Sequence, residues 1–125
     1  MPLEEIINRQ GIIISAPASG AGKTTVTLGL INAFARKGSV QPFKSGPDYI
    51  DSKFQSVAAD RPSYNLDTWA MSSSDILNMI GMVGPSDICI AEGSMGFFDG
   101  VISKGAGGYG STADLASITY WPVIL

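Results

Sequence analysis

The sequence predicts an α/β domain with a parallel sheet flanked by helices, and three observations carry that expectation. Short apolar runs rich in β-branched residues alternate with segments of helical period. Glycine-rich polar stretches follow the apolar runs, and the first of them, "SAPASGAGKTTVTLGL", reads as a phosphate-binding loop opening a helix. Such alternation implies βαβ units with right-handed crossovers, whose ligand sites form outside the carboxyl ends of the strands.

The elements follow in order. Ile12 to Ser15 reads as a buried strand entering a loop. From Thr24 a helix is expected, with Val26, Leu30, Ala33 and Phe34 as its apolar face, Arg36 and Lys37 at its negative end and Gly38 as its cap. A second strand spans Ser39 to Ser45, where Pro42 points to an edge or short strand. The stretch from Ser45 to Ser74 shows turn residues, a short helix from Asp51 and little period, so it reads as an excursion at one end of the sheet. Ser72 or Ser73 caps the next helix, with Ile76, Leu77, Met79, Ile80 and Val83 as its apolar face. "DICIA" is a buried strand ending in "EGSMGFFDG"; Ser111 and Asp114 form a capping box, and "WPVIL" begins a last strand. The chain stops inside that apolar run, the pattern of a domain cut short.

The whole-chain properties bound the function. The 125 residues suit one domain. Lys and Arg total 8 against 11 Asp and Glu, a net charge of -3, which supplies no basic stripe for nucleic acid. A single cysteine, Cys89, and no histidine exclude an internal disulfide, a Cys/His zinc site and any Ser-His-Asp or Cys-His catalytic set. Glu4 and Glu5 stand where a secretory signal carries positive charge, and no apolar run reaches membrane-span length, so a soluble cytoplasmic protein is expected.

In the phosphate loop, Ser19, Gly20, Ala21 and Gly22 are small enough for backbone N–H groups to approach phosphate. Lys23 suits the β and γ phosphates, the Thr24 hydroxyl suits Mg2+, and Thr25 suits the α-phosphate. Pro17 occupies the place of the first pattern glycine, whose main task is to ease the turn.

Glu92, directly after "DICIA", is placed to reach the same metal. Asp99 suits a turn, a second ligand or a substrate-orienting group. Asp48 and Asp51 suit a turn or helix cap as well as a site, and Lys44 at the preceding strand end tips the choice to Asp48. Cations, metal and carboxylates arranged in this way suit phosphoryl transfer. Cys89 and the methionines Met79 and Met82 read as core. Tyr49, Trp69, Phe97 and Phe98 suit either a large flat substrate or local packing, and "KGAGGYGST" reads as mobile, either a closing loop or plain disorder.

Taken together, "SAPASGAGKTTVTLGL", "QPFKSGPDYIDSKF", "RPSYNLDTWAM", "AEGSMGFFDG" and "GSTADLA" resemble the amino-terminal ATP-binding domain of the cobyrinic acid a,c-diamide synthases, from Gly11 to Leu125. The resemblance implies a P-loop domain of the dethiobiotin-synthetase type. It further implies that ATP phosphorylates the a and c acetate carboxylates of a corrin ring in turn, and that ammonia from glutamine then displaces phosphate in cobalamin biosynthesis. Within that family a proline in this loop is normal.

Carried over by position, Lys23 and Thr24 match the loop lysine and the metal-binding threonine. Asp48 and Glu92 match acidic residues that handle metal and ATP, Tyr49 and Asp99 match residues near the corrinoid carboxylate, and Lys44 matches a lysine facing phosphate or substrate. ATP and Mg2+ are the implied cofactors. The implied partners are a corrinoid and a carboxy-terminal glutaminase domain, which lies outside residues 1–125, as do the adenine-contacting segments; a homodimer is left open. Without its glutaminase the chain is not expected to amidate from glutamine. Two other readings are weighed. Switches of the ParA and MinD type usually carry a further lysine where Ala18 stands and lack "GPDYID"; a relative acting on nickel sirohydrochlorin would keep the chemistry and change the ring.

Overall fold

A computed structural model describes residues 10–18, 22–48 and 50–125. Five strands, all parallel, form one sheet: β1 (Gly11–Ile14), β2 (Val40–Ser45), β3 (Tyr64–Leu66), β4 (Ile88–Glu92) and β5 (Val123–Ile124), in the order β3-β2-β4-β1-β5. The helices of the described residues are α1 (Lys23–Ala35), α2 (Ile50–Ala59), α3 (Ser73–Met82) and α4 (Thr112–Thr119). This is the expected α/β, P-loop-like architecture.

Alternation along the strands divides the core between the two faces. Ile13, Phe43, Leu66, Cys89 and Ala91 pack with Ile76 and Ile80 of α3, Leu115 of α4 and Trp121. Ile14, Val40 and Ile90 pack with Ile31 of α1, supported by Ala58 and Ala59 of α2. Lys44 and Glu92 share the parity of the second face, so at the end of the sheet they emerge beneath the first turns of α1 and α2.

Several expectations change. β2 lies inside the sheet and is buried throughout, so Pro42 does not mark an edge strand. Its missing N–H is tolerated because β3 begins only opposite Phe43, leaving β2 a neighbour on one side at that point. β3 itself falls within the supposed excursion. The buried side of α1 carries Thr27 and Ile31, while Val26, Ala33 and Phe34 face outward. Arg36, not Gly38, is the C-cap of that helix, in the ordinary right-handed region.

Met79 packs against the core as expected, but Met82, 82% exposed, does not. α3 is capped by Ser72 in a full capping box with Asp75. At α4 the Ser111 hydroxyl accepts the Asp114 N–H at 3.1 Å, yet Asp114 turns its carboxylate to the Tyr109 N–H, 2.7 Å, so the box is half made. "KGAGGYGST" is tied down by backbone bonds to Thr68 and Trp69, against the mobility expected of it.

Candidate functional site

One register row crosses the carboxyl end of all five strands: Asn65, Lys44, Glu92, Ile14 and Ile124. Its two charged members are adjacent and almost wholly buried, Lys44 at 4% and Glu92 at 1% exposure. Lys44 Nζ donates to Glu92 Oε2 at 2.9 Å and to the Gly93 carbonyl at 3.0 Å, and lies 3.6 Å from Asp51 Oδ2. A buried ion pair survives only when its hydrogen bonds are supplied, and here Lys44 has two acceptors and the charge of Asp51 close by.

Glu92 is less well provided for. Its Oε1 is buried with no hydrogen-bond partner among the described residues. Burial pushes the Glu92 carboxyl above its ordinary range, and the Asp51 charge adds to that push; the bond and charge of Lys44 and the nearby Thr24 hydroxyl oppose it. The amino-terminal turns of α1 and α2, where Thr24 and Asp51 stand, converge on this carboxylate. Their dipoles favour negative charge between them, supplied either by Glu92 or by a bound anion.

The other expected residues distribute around this pair. Gly22 holds a left-handed conformation, φ +86°, immediately before Lys23, a turn that glycine makes without strain. Lys23 lines a small cleft of about 190 Å³ with Ser15, Pro17, Gly22, Ile124 and Leu125, on the β1–β5 side. Thr25 is exposed on the first turn of α1. Ser19, Gly20, Ala21 and Tyr49 lie outside the described residues. The loop after β4 is joined to the start of the phosphate loop, Phe97 N–H to Ala16 carbonyl at 2.9 Å, and within it Asp99 accepts the Gly96 N–H at 2.9 Å. Asp99 is thus an exposed turn residue on that rim.

Asp48 caps α2, its Oδ1 accepting the N–H groups of Ile50 at 2.9 Å and Asp51 at 3.0 Å. The carboxylate that reaches Lys44 is Asp51. The sequence signal for it was weak: the two acids are three residues apart, both suit a helix start, and only the orientation of α2 separates them.

A second, larger cleft of about 330 Å³ opens over the ends of β2, β3 and β4. Ser45, Asp48, Asp67, Trp69, Ser94 and Tyr109 are among its lining residues. The cleft that contains Lys23 thus lies over the ends of β1 and β5, and the cleft that contains Trp69 over the strand ends that carry the buried pair.

No group of three or more His, Cys, Asp or Glu side chains gathers among the described residues. The donors present are hard oxygens, the Thr24 hydroxyl and the orphaned Glu92 Oε1. That set suits Mg2+, which binds through one or two protein oxygens and takes the rest from phosphate and water. No described helix is long and apolar enough to cross a membrane.

Comparison with known proteins identifies relatives and a family. The chain is 50% identical over 117 residues to the hydrogenobyrinate a,c-diamide synthase of Rhodobacter capsulatus, covering 93% of this chain and 27% of that protein. Proteins of the same name from Brucella ovis and Rhizobium meliloti are 47% and 46% identical, over 93% and 92% of this chain and 26% of each relative. The chain spans about a quarter of the length of these curated relatives. No solved structure gives a significant match. The model of the CobQ/CobB/MinD/ParA nucleotide binding domain matches residues 12–113, from β1 into α4, and the chain belongs to that family.

Proposed function

We propose that the chain is the nucleotide-binding part of an ATP-dependent amidoligase that activates the a and c acetate carboxylates of hydrogenobyrinic or cobyrinic acid in cobalamin biosynthesis. The observation that carries this reading is the buried Lys44–Glu92 pair at the carboxyl end of β2 and β4, with the Lys23 cleft toward β1 and β5 and the Trp69 cleft over the ends of β2, β3 and β4. A cation held at that point serves a phosphoryl group entering from one side and an acceptor carboxylate entering from the other. The names of the relatives support the acceptor and the amidation.

In this reading Ser19 to Thr25 hold the triphosphate by backbone N–H groups, hydroxyls and the Lys23 ammonium. Thr24 and Glu92 hold Mg2+, with Asp48 beside the acceptor cleft; the ion, when bound, neutralises charge on the β and γ phosphates. A carboxylate oxygen of the ring attacks the γ-phosphorus, the bond to the bridging oxygen breaks, and ADP leaves. Lys44 offsets the charge that spreads over the transferred group. Ammonia then attacks the acyl carbon and phosphate departs, leaving an amide. Asp48, Tyr49 and Asp99 bind and orient the acceptor. The ammonia comes from a glutaminase domain of the parent polypeptide, working in the cytoplasm.

The test is a panel of acceptors on the polypeptide that carries this chain, with ammonium supplied. ATP consumption and amide mass should appear together, with hydrogenobyrinic or cobyrinic acid and not without an acceptor. ATP hydrolysis of equal rate without any acceptor, or ATP-driven dimerisation without one, would favour a nucleotide switch instead.

A further inference from the structure

The larger cleft has one wall that is complete before anything binds. Trp69 on that wall is 44% exposed, yet it is held firmly. Its Nε1 donates to the Ser103 carbonyl at 3.0 Å, and its own carbonyl accepts the Ala106 N–H at 2.8 Å. The Thr68 carbonyl accepts the Gly107 N–H at 2.9 Å. Residues 101–110 also close on themselves, Val101 N–H to Tyr109 carbonyl at 2.8 Å and Gly105 N–H to Gly108 carbonyl at 2.7 Å.

This strap lies flat on residues 68–71 because glycine lets it. A Cβ on Gly105 would collide with the Trp69 carbonyl oxygen, and one on Gly107 with the Met71 carbonyl oxygen. Gly110 holds φ +78° with the Trp69 Cβ close by. Side chains emerge at the cleft instead, where Trp69, Met95, Val101 and Tyr109 form an apolar, partly aromatic surface.

An indole fixed at its N–H edge and left half exposed offers a flat face whose ordering cost is met during folding, not on binding. The opposite rim of the cleft, at Ser45 and Ser94, adjoins Lys44 and the strand end that carries Glu92. The cleft volume is at the low end for ligand sites, so it admits one edge of a macrocycle, not the whole ring.

From this geometry we infer that Trp69, held in advance by the glycine strap, is a specificity-determining residue that selects a flat macrocyclic acceptor and sets its carboxylate-bearing edge beside Lys44. The inference rests on the reading that the acceptor is a tetrapyrrole carboxylate. It assigns the strap a positioning role, distinct from that of a closing lid.

The experiment uses the polypeptide that carries this chain, with hydrogenobyrinic acid, ATP, Mg2+ and ammonium. Trp69→Leu should raise KM for the ring about tenfold or more, the loss expected for an aromatic stacking surface, with kcat and the Kd for ATP changed less than about twofold. Trp69→Phe keeps a ring but loses the N–H anchor, and should fall between. Gly107→Ala should also raise KM for the ring, by unseating the strap. Equilibrium dialysis of hydrogenobyrinic acid without ATP gives the same ranking free of turnover and, run on Trp69→Phe, keeps the test open if Trp69→Leu fails to fold. Unchanged ring affinity in Trp69→Phe and Trp69→Leu, with a wild type that amidates the ring, overturns this inference alone. A wild type that consumes ATP with no ring acceptor overturns the underlying reading as well.

Discussion

β2 and β4 lie side by side, and a carboxylate of β4 or its approach meets a residue of β2 or its approach at each end of the pair. At the amino end Asp87 Oδ2 accepts the Ser39 N–H at 2.8 Å and hydroxyl at 3.3 Å, while the Ser39 hydroxyl accepts the Asp87 N–H at 3.0 Å. That end is exposed and reciprocal. At the carboxyl end Glu92 meets Lys44 out of water, with one oxygen unpartnered. A purely structural pair closes its hydrogen bonds, as Ser39 and Asp87 do; an unclosed, buried carboxylate beside two helix amino-termini is what a site for phosphate and metal requires. Ser15, Thr27, Gln55 and Thr68 also bury an unpartnered polar atom, but Glu92 is the charged one of this set, and it stands where chemistry is proposed.

Lys44→Met should give the largest effect. It leaves Glu92 and Asp51 without their cation, so stability should fall by about 3–5 kcal/mol in urea unfolding. The double change Lys44→Met with Glu92→Gln should lose less than the single one, since the uncompensated buried charge is gone. Equal losses would mean that the pair is not coupled as its 2.9 Å contact implies.

Lys23→Ala, on the other side of Glu92, should weaken ATP binding on the order of a hundredfold or more, the worth of a charge-assisted phosphate contact, with stability nearly unchanged. Calorimetric titration checks this, and unchanged affinity would show that the nucleotide lies elsewhere.

The pH dependence separates the two ends again. Because burial raises the Glu92 carboxyl in the folded state, the native protein binds more protons than the unfolded chain above the ordinary value of 4.5. Its contribution is present below that value and is lost as pH rises through the raised one. Stability curves of wild type should therefore fall across that window relative to Glu92→Gln; parallel curves would contradict the assignment. The smallest effect is expected from Asp87→Ala, about 1 kcal/mol or less for an exposed hydrogen-bonded pair, with ATP affinity unchanged.

Much of the fold could be read from the sequence, because buried parallel strands announce themselves as continuous apolar runs and the phosphate loop fixes where β1 turns into α1. β3 escaped because three residues, Tyr64 to Leu66, carry no period. The phase of α1 was misread because apolar side chains occur on most of its sides, and the sheet-facing stripe includes Thr27, which is wholly buried. Of the candidate site, Lys44 and Glu92 are legible as charged residues that close apolar strands, and Lys23 and Thr24 as the end of the phosphate-loop pattern. Asp51 was passed over for Asp48 because either acid can cap a helix, and only the packing of α2 on α1 and β2 decides which one turns to Lys44. The strap could not be foreseen, since its glycines owe their role to a contact with Thr68 to Met71 more than thirty residues earlier.

In the proposed reaction a carboxylate, not water, receives the γ-phosphoryl group at the Lys44–Glu92 rim. Hydrogenobyrinic acid carrying heavy oxygen in its acetate carboxylates, given ATP and ammonium, tests it directly by mass analysis of the released phosphate. Each amide formed should release one phosphate that carries a heavy oxygen. Phosphate without heavy oxygen, its fourth oxygen drawn from solvent, would contradict it.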